Sequence, residues 1–144
     1  MVGNVDLDLL EKTYQNASIG ITAIEAVLNK TTNTEFNNDL HQQLRGYQEL
    51  ADKSKKQLVM NGAKVKDNSF YTKAMMKGNV KMNTLINSSD SRIAQMVIQG
   101  STMGVTEMTQ LLHAKQETDG ASKEIAQEFV QKEEENIEIM KKYL

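Results

Sequence analysis

The sequence predicts an all-α fold, a four-helix bundle, and three observations favour it. The 144 residues include no proline, a residue that interrupts helices because it lacks an N–H group and clashes with the preceding turn. The chain is rich in Lys, Glu, Gln, Met and Leu, which have good helix propensity. Apolar residues recur every three or four positions, as on one face of a helix. A chain of this length fits a single domain, residues 1–144, with a sizeable core.

The first predicted hairpin spans residues 5–61. Its first helix runs from about Asp6 to Lys30 and carries an apolar seam with steps of three and four residues: Leu10, Tyr14, Ala17, Ile21, Ile24 and Leu28. Residues 31–34 form a turn rich in helix-capping side chains. The second helix continues to about Met60, where Asn61-Gly62 supplies a C-terminal stop.

The rest of the chain repeats this hairpin after a crossover. We expect a crossover helix over residues 69–87 and a second hairpin over residues 90–144, with its first helix from about Ser91 to His113. A shift of 84 residues places the seam of the first helix on that of the helix from Ser91 to His113. The shift also pairs identical residues: Gln15 with Gln99, Gly20 with Gly104, and Thr22 with Thr106. Two related antiparallel hairpins joined by a crossover describe the ferritin-like arrangement of a four-helix bundle.

Nearly the whole chain resembles the small ferritin-like bundle proteins of low-GC Gram-positive bacteria. The resemblance is carried by Lys-Met-Asn-Thr-Leu at residues 81–85 and by Met-Val-Ile-Gln-Gly-Ser-Thr-Met-Gly at residues 96–104. It implies a four-helix bundle, and it implies no particular activity.

The di-metal site of many ferritin-like proteins is not predicted here. Such a site needs a Glu from each of two helices and a Glu-x-x-His motif from each of the other two. The histidines, His41 and His113, have Asn38 and Gln110 three residues before them, so neither completes the motif. Residues without metal-binding side chains are expected at the inward mid-height positions: Ala17, Ile21, Ser101 and Val105. We therefore predict no metal site, and Glu25 with His41 is the alternative for a degenerate metal-binding protein.

Polar residues near the middle of the helices form the candidate binding set: Gln15, Gln48, Gln99, Ser101 and Glu134. Buried polar groups need hydrogen-bond partners, so this set could form a network that fixes the helix register. It could instead line a small ligand pocket, and Gln48 and Glu134 could simply be exposed. Gly20 and Gly104, which cost about 1 kcal/mol each relative to alanine in mid-helix, predict close helix approach or room for a facing side chain.

These observations favour a non-catalytic bundle that acts through protein–protein contact. The alternatives are the degenerate metal-binding protein and a small-molecule binder that uses the polar set. The chain has no cysteine and no phosphate-binding, dinucleotide-binding or hydrolase motif, so we expect no enzyme, no catalytic residue and no cofactor.

The partner predictions follow from apolar and charged patterns. An exposed apolar side on the predicted crossover helix would favour a homodimer. The net charge is −2 and arginine is nearly absent, so we expect no nucleic acid partner. No apolar run approaches the roughly 20 residues that span a bilayer. The first residues lack a basic stretch followed by an apolar run, which predicts a cytoplasmic location.

Overall fold

The computed structural model describes residues 5–65, 89–115 and 120–144. Within these ranges the chain forms four α-helices and no β-strand, which confirms the predicted all-helical class. The helices are α1 (Leu7–Val27), α2 (Thr34–Met60), α3 (Asp90–Ala114) and α4 (Ala121–Met140), followed by a 3₁₀ turn at Lys141–Tyr143. The predicted crossover helix over residues 69–87 lies outside the described residues, and the homodimer that depends on it stays a prediction.

Short polar side chains set the start of three helices. The carboxylate of Asp6 accepts a hydrogen bond from the Leu9 amide, and the Asn33 and Ser89 side chains cap α2 and α3 in the same way. Such caps satisfy backbone N–H groups that have no partner inside the helix. α2 ends as predicted at Asn61, and Gly62 follows with a φ of 76°, a conformation that favours glycine.

Contacts between the helices fix their directions. Lys115, at the end of α3, forms an ion pair with Asp6 at the start of α1, with Nζ and Oδ2 3.1 Å apart. The Asp6 amide also donates to Ser122 Oγ in the first turn of α4, at 3.0 Å. α1 and α4 are therefore parallel, and α3 runs antiparallel to both.

An ion pair between α2 and α4 gives the direction of α2. Lys53, late in α2, lies 3.1 Å from Glu128, early in α4, so α2 is antiparallel to α4 and to α1. Since α2 and α3 run in the same direction, Val65 and Ser89 lie at opposite ends of the bundle. Each hairpin packs on itself, and α1 and α4 also pack against each other through the centre.

The core is apolar and draws on all four helices. Every position of the predicted α1 seam is buried or half-buried. At one end, the Phe36 ring stacks on Tyr143 with ring centroids 4.2 Å apart, while the Lys142 ammonium lies 3.1 Å from both Glu35 and Asp39. These contacts hold the C-terminal turn against α2. No helix in the described ranges is both long and apolar enough to cross a membrane.

Candidate functional site

A carboxylate lies in the middle of the bundle, at Glu133 on α4. The residue is 3% exposed, and no other acidic residue among those described is buried. Its Oε1 atom accepts hydrogen bonds from the Tyr47 hydroxyl of α2, from Ser101 Oγ of α3 at 3.3 Å and from Asn136 Nδ2 at 3.2 Å. Three helices therefore supply donors to one carboxylate oxygen.

Two glycines provide the space for this group. A Cβ atom on Gly20 of α1 would lie 2.7 Å from the Tyr47 ring, and one on Gly104 of α3 would lie 2.9 Å from Glu133 Oε2 and 3.3 Å from the Phe129 ring. Of the alternatives predicted for the paired mid-helix glycines, the structure shows room for facing side chains. Because glycine has poor helix propensity, making room for Tyr47 and Glu133 in the core lowers the stability of α1 and α3 at these two positions.

Burial changes the acid–base properties of both groups. Loss of solvation raises the pKa of Glu133 from 4.5 to about 7, against the opposing effect of its three hydrogen bonds. Burial, and then the neighbouring Glu133 charge, raise the pKa of Tyr47 well above 10. Tyr47 therefore stays protonated and donates, whereas Glu133 changes charge near neutral pH.

A cleft between α1 and α3 leads to this group. It has a volume of about 80 Å³ and is floored by Tyr47, Ser101 and Glu133. Apolar side chains contribute to its walls: Ile19, Ala23, Ile24, Met96 and Val97. Gly20, Gly100 and Gly104 lie along it, and Asn16 adds a polar group. We call this feature the Glu133 cleft.

The polar atoms of the Glu133 cleft that remain without partners are acceptors. Glu133 Oε2 accepts no hydrogen bond from a described residue, since all three donors bind Oε1. The Asn16 amide donates through Nδ2 to the Lys12 carbonyl at 3.0 Å, and its Oδ1 atom accepts nothing within the described ranges. Among the described residues, those that line the cleft include no lysine, arginine or histidine. The cleft therefore presents negative and acceptor groups against apolar walls.

The structure brings only one member of the predicted polar set into this network. Ser101 is buried and donates to Glu133. Gln15 is half-buried and lies 3.4 Å from Glu11 on its own helix. Gln48, Gln99 and Glu134 are exposed. The set does not form a single buried network.

On α4 the buried glutamate is Glu133, and the predicted Glu134 is exposed, as one of the alternatives allowed. Glu133, four residues after Phe129 and seven before Met140, shares their buried face, whereas Glu134 is turned about 100° away. The prediction that the inward mid-height positions carry no metal-binding side chain is wrong at Glu133, because its carboxylate lies among them. The spacing of Glu133 from Phe129 and Met140, by four and seven residues, is the sequence signal that would have identified it as the inward glutamate.

The alternative metal pair is not assembled. Glu25 and His41 are both exposed, and no hydrogen bond or ion pair joins them. Across residues 5–65, 89–115 and 120–144, no group of three or more His, Cys, Asp or Glu side chains is placed to hold a metal ion.

Comparison with known proteins identifies no relative: no family model, no curated protein and no solved structure matches the chain.

Proposed function

We propose that the protein is a non-catalytic helical bundle that binds a small protonated amine in the Glu133 cleft. The observation that carries the proposal is the Oε2 atom of a buried carboxylate, which accepts no hydrogen bond from a described residue and lies beside apolar walls. An ammonium group would donate to this atom and to Asn16 Oδ1. A short alkyl chain would lie against Ile19 and Val97.

Charge and hydrogen bonding favour a cation over other ligands. An anion would meet an acidic floor, with no cationic side chain among the described residues of the lining. A neutral apolar molecule would leave Oε2 of the buried carboxylate without a donor, and buried charged groups need partners. A charge-assisted hydrogen bond from an ammonium group is stronger than one between neutral groups.

Binding is favoured over catalysis by the position of Ser101. A hydroxyl beside a carboxylate could act as a nucleophile, but acyl transfer also needs donors for the developing oxyanion. Ser101 lies in the interior of α3, where backbone N–H groups bond to carbonyls four residues earlier. Those amides are not available to a substrate.

The proposal is tested with n-butylammonium chloride as the probe and backbone amide NMR as the readout. At about pH 8, where Glu133 is ionised, we expect saturable shifts at Gly100 and Gly104. At about pH 5, where Glu133 is protonated, affinity falls about tenfold or more, because the ion pair is lost. n-Butanol, which has the same chain without the charge, is expected to bind much more weakly.

A matched pair of variants controls this experiment. Glu133→Gln removes the buried charge and is expected to abolish the pH-dependent binding. Glu134→Gln makes the same change in net charge at the neighbouring exposed position and is expected to bind like the wild type. Equal binding of butylammonium by both variants, or no saturable shift at about pH 8, would refute the proposal.

We also propose that the four helices have ferritin-like connectivity. α2 and α3 are parallel, and residues 65 and 89 lie at opposite ends of the bundle. That geometry, with two antiparallel hairpins, supports a ferritin-like crossover. The cleft lies between the first helices of the two hairpins, α1 and α3.

A further inference from the structure

The two carboxylate oxygens of Glu133 have different surroundings. Oε1 accepts all three hydrogen bonds, from Tyr47, Ser101 and Asn136. Oε2 accepts none from a described residue, and it lies 2.9 Å from the point where a Cβ atom on Gly104, a residue of the cleft, would be. Since three donors already occupy Oε1, a proton that binds this carboxylate is expected on Oε2.

The Oε2 atom is open to the Glu133 cleft. Among the described residues, three buried side-chain polar atoms are closed off from solvent and also lack a partner: Oδ1 of Asn37 and both amide atoms of Gln43. Glu133 Oε2 lacks a partner but is not one of these atoms, so it keeps surface that a ligand can reach. Glu133 lines the cleft between α1 and α3, and a ligand therefore reaches Oε2 from that side.

Protonation reverses the hydrogen-bonding character of this atom. An ionised carboxylate only accepts hydrogen bonds, whereas a protonated one also has an O–H group that donates. Ionised Oε2 therefore accepts from an ammonium group, and protonated Oε2 donates into the cleft. Because burial raises the pKa of Glu133 to about 7, the protonated form predominates at about pH 5 and the ionised form at about pH 8.

Among the described residues around the cleft, Glu133 is the one whose charge changes over this pH range. Tyr47, which faces it from α2, has a pKa raised well above 10 by burial and stays protonated. The residues that line the cleft from α1 and α3 carry no ionisable group, and neither does Asn136 on α4. Lys132, the residue before Glu133 in the chain, lies against Gly46 of α2 instead.

We propose that the Glu133 cleft, when its carboxyl is protonated, binds a second class of ligand, a small neutral carbonyl compound with a short alkyl group. The carbonyl oxygen accepts a hydrogen bond from the Oε2 hydroxyl, and the alkyl group lies against apolar walls that include Ile19 and Val97. The inference rests on the proposed function only in placing a small ligand in this cleft. One carboxyl group thus selects ammonium donors when ionised and carbonyl acceptors when protonated.

The full chain is titrated with 2-butanone, which has a hydrogen-bond acceptor and no donor, and NMR follows the backbone amides of Gly100 and Gly104. Saturable shifts are expected at about pH 5, where Glu133 is protonated. At about pH 8 the affinity is expected to fall about tenfold or more, because the ketone oxygen then faces a carboxylate that cannot donate. Equal affinity at the two pH values, or no saturable shift at the lower one, would overturn the inference.

Glu133→Gln is expected to keep the carbonyl-binding mode at both pH values. The three donors hold the glutamine oxygen at the place of Oε1, so its NH₂ group takes the place of Oε2 and donates into the cleft. This variant is expected to bind 2-butanone at about pH 8 as tightly as the wild type does at about pH 5. Glu134→Gln, at the exposed neighbouring position, is expected to keep the wild-type pH dependence. If Glu133→Gln gained no affinity over the wild type at the higher pH, the assignment of the proton to Oε2 would be wrong.

The two ligand assignments can fail separately. If n-butylammonium binds at the higher pH and 2-butanone does not bind at the lower one, the carbonyl assignment is wrong and the proposed function stands. If 2-butanone shows the expected pH dependence and n-butylammonium does not bind, the proposed function is wrong and the carbonyl assignment stands.

Discussion

Replacing Glu133 with glutamine is expected to stabilise the protein by about 3 kcal/mol at pH 8 relative to the wild type, and to change its stability little near pH 4. The pKa of Glu133 rises from 4.5 to about 7 on folding, and each unit of pKa corresponds to about 1.4 kcal/mol. Glutamine keeps the shape of the side chain and an oxygen that can accept from Tyr47.

The direction of the pH dependence follows from proton binding. Below about pH 4 the carboxyl is protonated in both the folded and unfolded states, so it contributes no pH dependence. Between about pH 4.5 and pH 7 the folded state holds the proton more tightly, so the free energy of unfolding of the wild type falls as the pH rises. Above about pH 7 Glu133 is ionised in both states, and its titration lowers the free energy of unfolding no further.

Urea unfolding of wild type and Glu133→Gln between about pH 4 and pH 8 measures this effect. Glu134→Gln is the matched control, since that residue is exposed, and we expect its difference from the wild type to stay within about 0.5 kcal/mol at each pH. A difference between Glu133→Gln and the wild type that does not vary with pH would show that the carboxylate does not become buried on folding.

The second large effect is expected at Gly20. Alanine there would bring a methyl group to within 2.7 Å of the Tyr47 ring, and the ring is held by its bond to Glu133. Overpacking of this kind costs about 1–3 kcal/mol, which exceeds the gain of up to about 1 kcal/mol in helix propensity. We expect Gly20→Ala to lower the free energy of unfolding by about 1–2 kcal/mol.

Gly100→Ala is the control for that substitution. Gly100 also lies in a helix interior, but a Cβ atom on it meets no atom of the described residues within 4 Å. We therefore expect this variant to be more stable than the wild type by up to about 1 kcal/mol, through helix propensity alone. If thermal unfolding found both variants equally stabilised, Tyr47 would not occupy the space beside Gly20.

The helices were predictable from the sequence because their signals are local. Capping side chains, the Asn61-Gly62 stop and the seam of α1 each depend on residues close together in the chain. The observed bounds of α1, α2 and α3 lie within a few residues of the predicted ones. Gly20 and Gly104 also predicted room for facing side chains, although the sequence did not say which side chains.

The site was less predictable because it depends on the rotation of α4 and on contacts between distant residues. Glu133 and Glu134 lie in a run of three glutamates, and composition alone does not distinguish the inward one. Two of the three donors to Glu133, Tyr47 and Ser101, lie 86 and 32 residues away in the chain. The unpaired state of Gln43 is equally a property of packing, since nothing in its neighbourhood in the sequence separates it from the exposed Gln42 and Gln48.

The most direct test of the buried carboxylate is a pH titration of the glutamate side-chain carboxyl carbons by ¹³C NMR. The structure predicts one resonance with a pKa of about 7, well above the ordinary glutamate value of about 4.3, and predicts that this resonance is absent from Glu133→Gln. Titration of every glutamate near the ordinary value would contradict the account.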